Sequence, residues 1–233
     1  MITIFTKWES SLAACQLFAG IDSEELKIML ECLNPAVRSF KKDEYLSVQG
    51  DDLYGLGVLL EGEAMVAKEN AAGERVILAV LGPGDLFGET AAFSGAGKWP
   101  ASVIAQGDCK AFFLPPEKIT GNCQKQCPSH RRLITNMLRI VSDKALALNK
   151  KVEYLTIKSM RGKISAFLLE QYEKQGSATF LLPLKRNEMA EFLNVTRPSL
   201  SREMCRMRDE GIIDFHQSTI KIKDLEALRD SIE

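Results

Sequence analysis

The 233-residue chain holds two histidines. It has no glycine-rich phosphate loop of the nucleotide-binding type and no neighbourhood that gathers Ser, His and Asp. Catalysis is left without a constellation of nucleophile, base and oxyanion donor, so no enzyme and no catalytic residue is expected. Charge of one sign is lacking too. Lys and Arg total 30 against 31 for Asp and Glu, so a nucleic-acid-binding surface would have to be local. The apolar runs, of which "VILAVL" is typical, are far too short to span a bilayer. The opening residues "MITIFTKWES" have neither the basic flank nor the unbroken apolar run of a signal peptide. A cytoplasmic protein with no membrane partner is the expectation. The cysteines (Cys15, Cys32, Cys109, Cys123, Cys127 and Cys205) include no repeated C-x-x-C pair and read as free thiols in a reducing compartment, with no cofactor.

What the chain does have is 45% hydrophobic residues, enough for one large or two small cores. "DSEELKIMLECL", residues 22 to 33, sets Leu26, Met29, Leu30 and Leu33 at helical spacing behind an Asp-Ser start that can cap a helix. From Val37 to Leu114 brief apolar strands alternate with "QGDD", "LEGEA", "ENAAGE", "LGPGD", "FSGAG" and "AQGD", the punctuation of a compact β-roll or barrel. Glycine then almost disappears. From Pro128 to Ile157 the residues Ile134, Leu138, Val141, Ala145, Leu148, Val152 and Leu155 alternate in steps of four and three. A single amphipathic helix can carry such a stripe, but one this narrow and sustained favours helices pairing across a dimer axis. The predicted fold is α+β in three parts: a sensing β-roll over 1–127, a dimerisation helix over 128–156 and a DNA-binding domain over 157–233.

The last part opens with the helix "SMRGKISAFLLEQYEKQG" and continues into two helices joined by a tight turn. Met189, Ala190, Phe192 and Leu193 form the apolar face of the first, Asn194 and Val195 turn the chain, and Thr196 caps the second. Pro198 is suited to the first turn of that second helix. Leu200, Met204 and Met207 face inward and Gly211 ends the helix. Arg197, Ser199, Ser201 and Arg202 are left outward near its start. An arginine there can bond guanine bidentately in a major groove, while serine and the cap bond phosphate. "DFHQSTIKIKD" reads as a two-stranded wing with His216 near its tip. The bland alternative, two arginines on a merely solvated helix, does not account for helix, turn, cap, glycine stop and wing occurring together.

With these pieces in order, the chain resembles the cyclic-AMP receptor protein and fumarate-nitrate regulator (Crp/Fnr) family of bacterial transcription factors. The resemblance rests on "GVLLEGEAMVAKENAAGERVILAVLGPGDLFGE", with its Gly-Asp-x-x-Gly-Glu box, and on "RNEMAEFLNVTRPSLSREMCRMRDEGII". It implies a jelly roll of the cyclic-nucleotide-binding type, a long dimerisation helix and a winged helix-turn-helix. It also implies a homodimer on an inverted-repeat operator in double-stranded DNA, with RNA polymerase as a partner if the protein activates. Carried over by position, Arg197 and Arg202 take the base-reading arginine places and Ser201 a base-facing serine. Arg186, Thr196, Ser199 and His216 fall at phosphate contacts. Pro198 stands where relatives often have a glutamate, so the half-site should differ, since a carboxylate accepts from cytosine N4 and proline cannot.

Nucleotide-binding relatives follow Gly-Glu with an Arg-Ser/Thr-Ala triplet whose arginine pairs with the cyclic phosphate. Here "GETAAFSGAGKWPAS", residues 88 to 102, keeps Gly88 and Glu89 but reads Trp99-Pro100-Ala101. The Thr-Ser pair that meets the purine from the dimer helix is replaced by "ALALN" (Ala145 to Asn149). The resemblance therefore implies a site, made of Gly88, Glu89, Thr90, Trp99, Pro100, Ala101 and Leu148, for a small organic effector that is not a cyclic nucleotide. The alternative is that Trp99 plugs a collapsed site. Two rival functions stand beside this reading. One is a redox, haem or metal sensor of the same fold, for which Cys123, Cys127 and His130 could supply ligands or could simply pack; Cys15 and Cys32 depart from the family's cluster spacing. The other is a regulatory subunit that does not bind DNA, which would have no use for the helix-turn-helix. No metal site is expected.

Overall fold

A computed structural model describes residues 2–69, 75–121 and 128–232. The chain divides into two compact units, 1–143 and 144–233. The first begins with α1 (Ile2–Ala14) and α2 (Ser23–Leu33). The side chain of Asp22 accepts the Glu24 and Glu25 N–H groups at 3.0 and 2.9 Å, the cap its sequence suggests. There follow β1 (Ala36–Phe40), β2 (Tyr45–Ser47), β3 (Leu56–Glu61), β4 (Ala64–Glu69), β5 (Arg75–Leu81), β6 (Leu86–Phe87), the single-turn α3 (Glu89–Ala92), β7 (Ser102–Ala105), β8 (Cys109–Leu114) and α4 (Pro116–Thr120). The strands form two antiparallel four-stranded sheets, in the orders β1-β8-β3-β6 and β2-β7-β4-β5.

Alternation along two central strands explains the layering. On β3, Leu59 points between the sheets with Phe87, Val103, Ala105 and Phe113. Leu56, Val58 and Leu60 point the other way, where with Phe112 and Leu114 of β8 they meet Leu12, Leu26, Met29, Leu30 and Leu33. Successive strand side chains face opposite sides, so β3 and β8 must be covered on both faces. α1 and α2 cover the outer face, together with Leu133, Met137 and Ile140 of α5 (Pro128–Thr156). α1 has no counterpart among the expected elements, although Trp8 and Leu12 stand at helical spacing on it. Trp8 is buried and donates its Nε1–H to Glu61 Oε1 at 2.5 Å. Cys15 is buried as well, and desolvation pushes its thiol up to about 12, which keeps it protonated.

The stripe assigned to dimer pairing divides. Ile134 and Val141 are half-buried, while Leu138, Leu148, Val152 and Leu155 are exposed within the chain. No helix among the described residues is long and apolar enough to cross a membrane. The proposed ligands Cys123 and Cys127 lie outside the described residues. His130 Nε2 lies 2.8 Å from the Ile119 carbonyl oxygen, and its Nδ1 is buried without a partner.

In the second unit, the last turns of α5 pack through buried Tyr154 against Phe167 of α6 (Met160–Gln175). Next come β9 (Thr179–Leu181), α7 (Arg186–Phe192), α8 (Arg197–Asp209), β10 (Ile213–His216), β11 (Thr219–Ile222) and α9 (Leu225–Asp230). β9 joins the expected wing to make an antiparallel sheet in the order β10-β11-β9. At three residues, β9 is too short to give a period. The whole has the α+β architecture expected, a β-roll unit and a winged helix-turn-helix unit.

The burial of Trp8 generates a test of how α1 is held. Trp8→Ala should cost about 3 to 5 kcal/mol, the usual range for a large buried aromatic. Trp8→Phe keeps most of the packing, loses the bond to a carboxylate, and should cost about 2 kcal/mol. Chemical denaturation of the two variants checks the order.

Candidate nucleic-acid interface and effector loop

α7 and α8 are joined by a turn whose sequence explains its shape. Leu193 is the C-cap of α7, Asn194 takes a left-handed φ of 53°, and the Val195 N–H donates back to the Ala190 carbonyl at 2.9 Å. Asparagine tolerates that conformation better than most residues. Thr196 Oγ1 accepts the Ser199 N–H at 3.4 Å, and Pro198 occupies the first turn of α8 where its missing N–H would have had no intrahelical partner. Leu200, Met204 and Met207 are wholly buried along one side of α8. At about 1.5 to 3 kcal/mol each, as an upper figure, they are the main force holding the helix down. Beyond Glu210 the chain leaves through Gly211, whose φ of 77° is left-handed.

Charge is unevenly spent along α8. In its C-terminal half Arg206 pairs with Glu203 at 3.4 Å and Arg208 with Asp209 at 3.6 Å. In its N-terminal half Arg197 is exposed and pairs with no described carboxylate, and among the described residues Arg202 reaches only Ser199 Oγ, at 3.3 Å. The hydroxyl of Thr196 donates in turn to Ser199 Oγ at 2.9 Å. Two unneutralised cations in the first turns oppose the helix macrodipole, which favours negative charge there. An anion arriving at this end would relieve both. His216 is exposed at the end of β10, beside the Gln217–Ser218 turn of the wing.

Arg186, expected at a phosphate, is half-buried. Its guanidinium donates to the sulfur of Met204 and lies 5.3 Å from the centre of the Phe215 ring. Arg208 lies 5.2 Å from the same ring. Burial pushes the Arg186 pKa down. The side chain thus ties the start of α7 to α8 and to the wing.

In the first unit the loop from Gly88 turns inward at alternate points. Glu89, Trp99 and Ala101 are buried, while Thr90 and Pro100 are exposed. The Trp99 indole lies against Gly88 so closely that a Cβ there would sit 2.4 Å from Cζ3, and Gly88 has a φ of 79°. Phe87 and Tyr54 flank the indole with ring centres 6.1 and 5.7 Å away. Trp99 Nε1 is buried and has no hydrogen-bond partner, and the same is true of Ser47 Oγ. Lys98, the only cation of residues 88–102, is exposed and bonds Asp52 at 2.6 Å, which holds that carboxyl below its usual range. Leu148, the last of the residues assigned to the effector, belongs to the second unit and is exposed there.

Residues 37–126 match the family "Cyclic nucleotide-binding domain", and residues 162–231 match the family "Crp-like helix-turn-helix domain". The chain is 22% identical to the Cyclic AMP receptor protein of Thermus thermophilus over 215 residues, 92% of this chain and 95% of the relative. It is 26% identical to the Transcriptional activator protein FnrL of Cereibacter sphaeroides over 208 residues, 84% and 78% of the two chains. Among solved structures it is similar to the Thermus thermophilus catabolite activator protein, with a TM-score of 0.53 and 22% identity over 93% of this chain and 98% of that one. It is also similar to CprK complexed with OCPA, with a TM-score of 0.61 and 16% identity over 89% and 93% of the two chains.

The close approach of Trp99 to Gly88 can be checked by crowding it. Gly88→Ala adds a left-handed φ penalty to a clash and should cost about 2 to 4 kcal/mol in chemical denaturation. In a Trp99→Leu background, which carries its own cavity cost, the same Gly88→Ala change should cost only the φ part, about 1 to 2 kcal/mol.

Proposed function

Because the chain is a transcription regulator of the Crp/Fnr family, carrying a DNA-binding helix-turn-helix, we propose that it works as a cytoplasmic homodimer on an inverted-repeat operator under the control of a small effector other than a cyclic nucleotide. The observation that carries the DNA half is the pair of unneutralised arginines at the start of α8, on a helix whose later arginines are paired. Arg197, Ser201 and Arg202 read base edges in the major groove. Thr196, Ser199 and His216 bond phosphates, and Pro198 shapes the first turn between them. The exposed Leu138, Leu148, Val152 and Leu155 of α5 pair with their counterparts in the second protomer. RNA polymerase is the further partner where the bound protein activates.

The effector half rests on Trp99. A cyclic phosphate buried beside it would meet an indole where relatives place an arginine, and the neighbouring Lys98 is already spent on Asp52. The unpartnered Trp99 Nε1–H favours a ligand that is largely apolar, uncharged and supplied with a hydrogen-bond acceptor. Its arrival requires the indole to give up its place against Gly88 or to share it.

Two experiments test these halves. Selection from a random duplex library should recover an inverted repeat with half-sites about 34 Å apart. On it, Arg197→Ala or Arg202→Ala should lose about 1 to 3 kcal/mol per half-site. A single asymmetric site, or unimpaired binding by the double variant, would contradict the assignment. For the effector, calorimetry with cyclic AMP and cyclic GMP should detect no binding in the micromolar range. An unpaired buried charge costs about 3 to 5 kcal/mol, and each 1.4 kcal/mol is tenfold. Micromolar binding at one nucleotide per chain would refute this half.

A further inference from the structure

The apolar stripe of α8 holds the helix to the domain but fixes its position poorly, since Leu and Met side chains can repack around small rotations and slides. A polar grip on the same helix does fix it. Arg161, at the start of α6, donates from Nε to Glu203 at 2.7 Å and from its two terminal nitrogens to both carboxylate oxygens of Glu210, at 2.6 and 2.8 Å. Glu203, on α8, and Glu210, its C-cap, stand about two turns apart on one face. A planar guanidinium bonded to two such points cannot follow the helix if it turns or slides. Glu203 is only 13% exposed, so that arm of the grip is shielded from solvent, while the arm to Glu210, 47% exposed, is the more screened one.

The start of α6 is itself tightly placed. Ser159 Oγ accepts the Gly162 N–H at 2.8 Å. A Cβ at Gly162 would lie 2.8 Å from Ile157 Cγ2 and 3.1 Å from the Ile232 carbonyl oxygen, so nothing larger fits and the backbone beside Arg161 has little room to shift. Lys163, two residues on, donates to the Leu193 carbonyl at the end of α7, at 3.4 Å. The first turn of α6 therefore touches both helices of the helix-turn-helix by polar bonds.

We propose that Arg161 is a positioning residue for DNA reading: by gripping Glu203 and Glu210 it sets the rotation and axial register of α8, and so the place at which Arg197, Ser201 and Arg202 stand. The proposal rests on the reading of α8 as the base-reading helix. Arg161 acts through the two glutamates and not through a phosphate.

The test uses the full-length protein, the duplex that the wild type selects from a random library, and a scrambled duplex of the same length, at a temperature below the melting transition of every variant. Arg161→Gln should lower the ratio of selected to scrambled affinity about tenfold, the scale of one well-made coupled interaction, and leave the scrambled affinity and the salt slope unchanged. Arg161→Lys should recover part of the ratio. The Glu203→Gln/Glu210→Gln pair should reproduce the loss, with no further loss when Arg161→Gln is added. An unchanged ratio with only a lower melting temperature would overturn the proposal, and so would equal losses on both duplexes with a shallower salt slope, the mark of a direct phosphate contact. Arg197→Ala/Arg202→Ala is the control. If it too keeps the wild-type ratio, the base-reading assignment has failed; if it loses the ratio while Arg161→Gln does not, only the grip has failed.

Discussion

Strands β3 and β8 carry apolar side chains on both faces, and the first unit is arranged around that constraint. One face is closed by the second sheet, through Leu59, Phe113 and their neighbours, and the other by α1, α2 and the first turns of α5. Burying both faces of a strand leaves no solvent side on which to place polar residues, so the helices are required cover. The loop that carries Trp99 runs between β6 and β7 and inherits its position from the same two-sheet core. There the indole is packed by Phe87, Tyr54 and Gly88, and a ligand entering must compete with that packing. On the proposed reading, a ligand that moved the indole would be felt by the inter-sheet core, because the two share contacts.

The second unit solves a different problem. Its recognition helix must be held firmly while its first turns stay available and positively charged. Leu200, Met204 and Met207 supply the holding, and Arg186 stacks on Phe215 to link α7, α8 and the wing. The carboxylates of α8 and its C-cap sit at Glu203, Asp209 and Glu210, where they neutralise Arg206, Arg208 and Arg161. None stands near Arg197. This segregation along one helix is how a chain with almost no net charge presents a cationic end, and composition alone is blind to it.

The parts of this that the sequence made legible are those with local signals. The cap at Asp22, the turn at Asn194, the cap at Thr196, the stop at Gly211 and the buried stripe of α8 each follow from residue type and spacing, and each has its expected geometry. The missing elements had weak or interrupted local signals: α1 spaces Trp8 and Leu12 as a helix would but is kinked at Trp8 and shows no capping residue, and β9 and α9 are too short to show a period. At the candidate sites, sequence could say that an indole replaces a cation at residue 99, but not that its Nε1–H is left without a partner. Nor could it pair Arg161 with Glu203 and Glu210, because contacts between residues more than forty positions apart depend on the tertiary fold. Arg186 was assigned to phosphate from its position, and only the folded chain shows it turned onto Phe215 and Met204.

The account stands most directly on where the start of α8 meets DNA. A cleaving group tethered at Ser201→Cys, in a background whose other accessible cysteines are replaced by serine, reports that position by the duplex bonds it cuts. With the start of α8 in the groove, two symmetric clusters of cuts fall in successive major grooves, about one helical turn apart. Cuts in a single cluster, or stronger cuts from the same group tethered on α9 at Glu226→Cys, would contradict it.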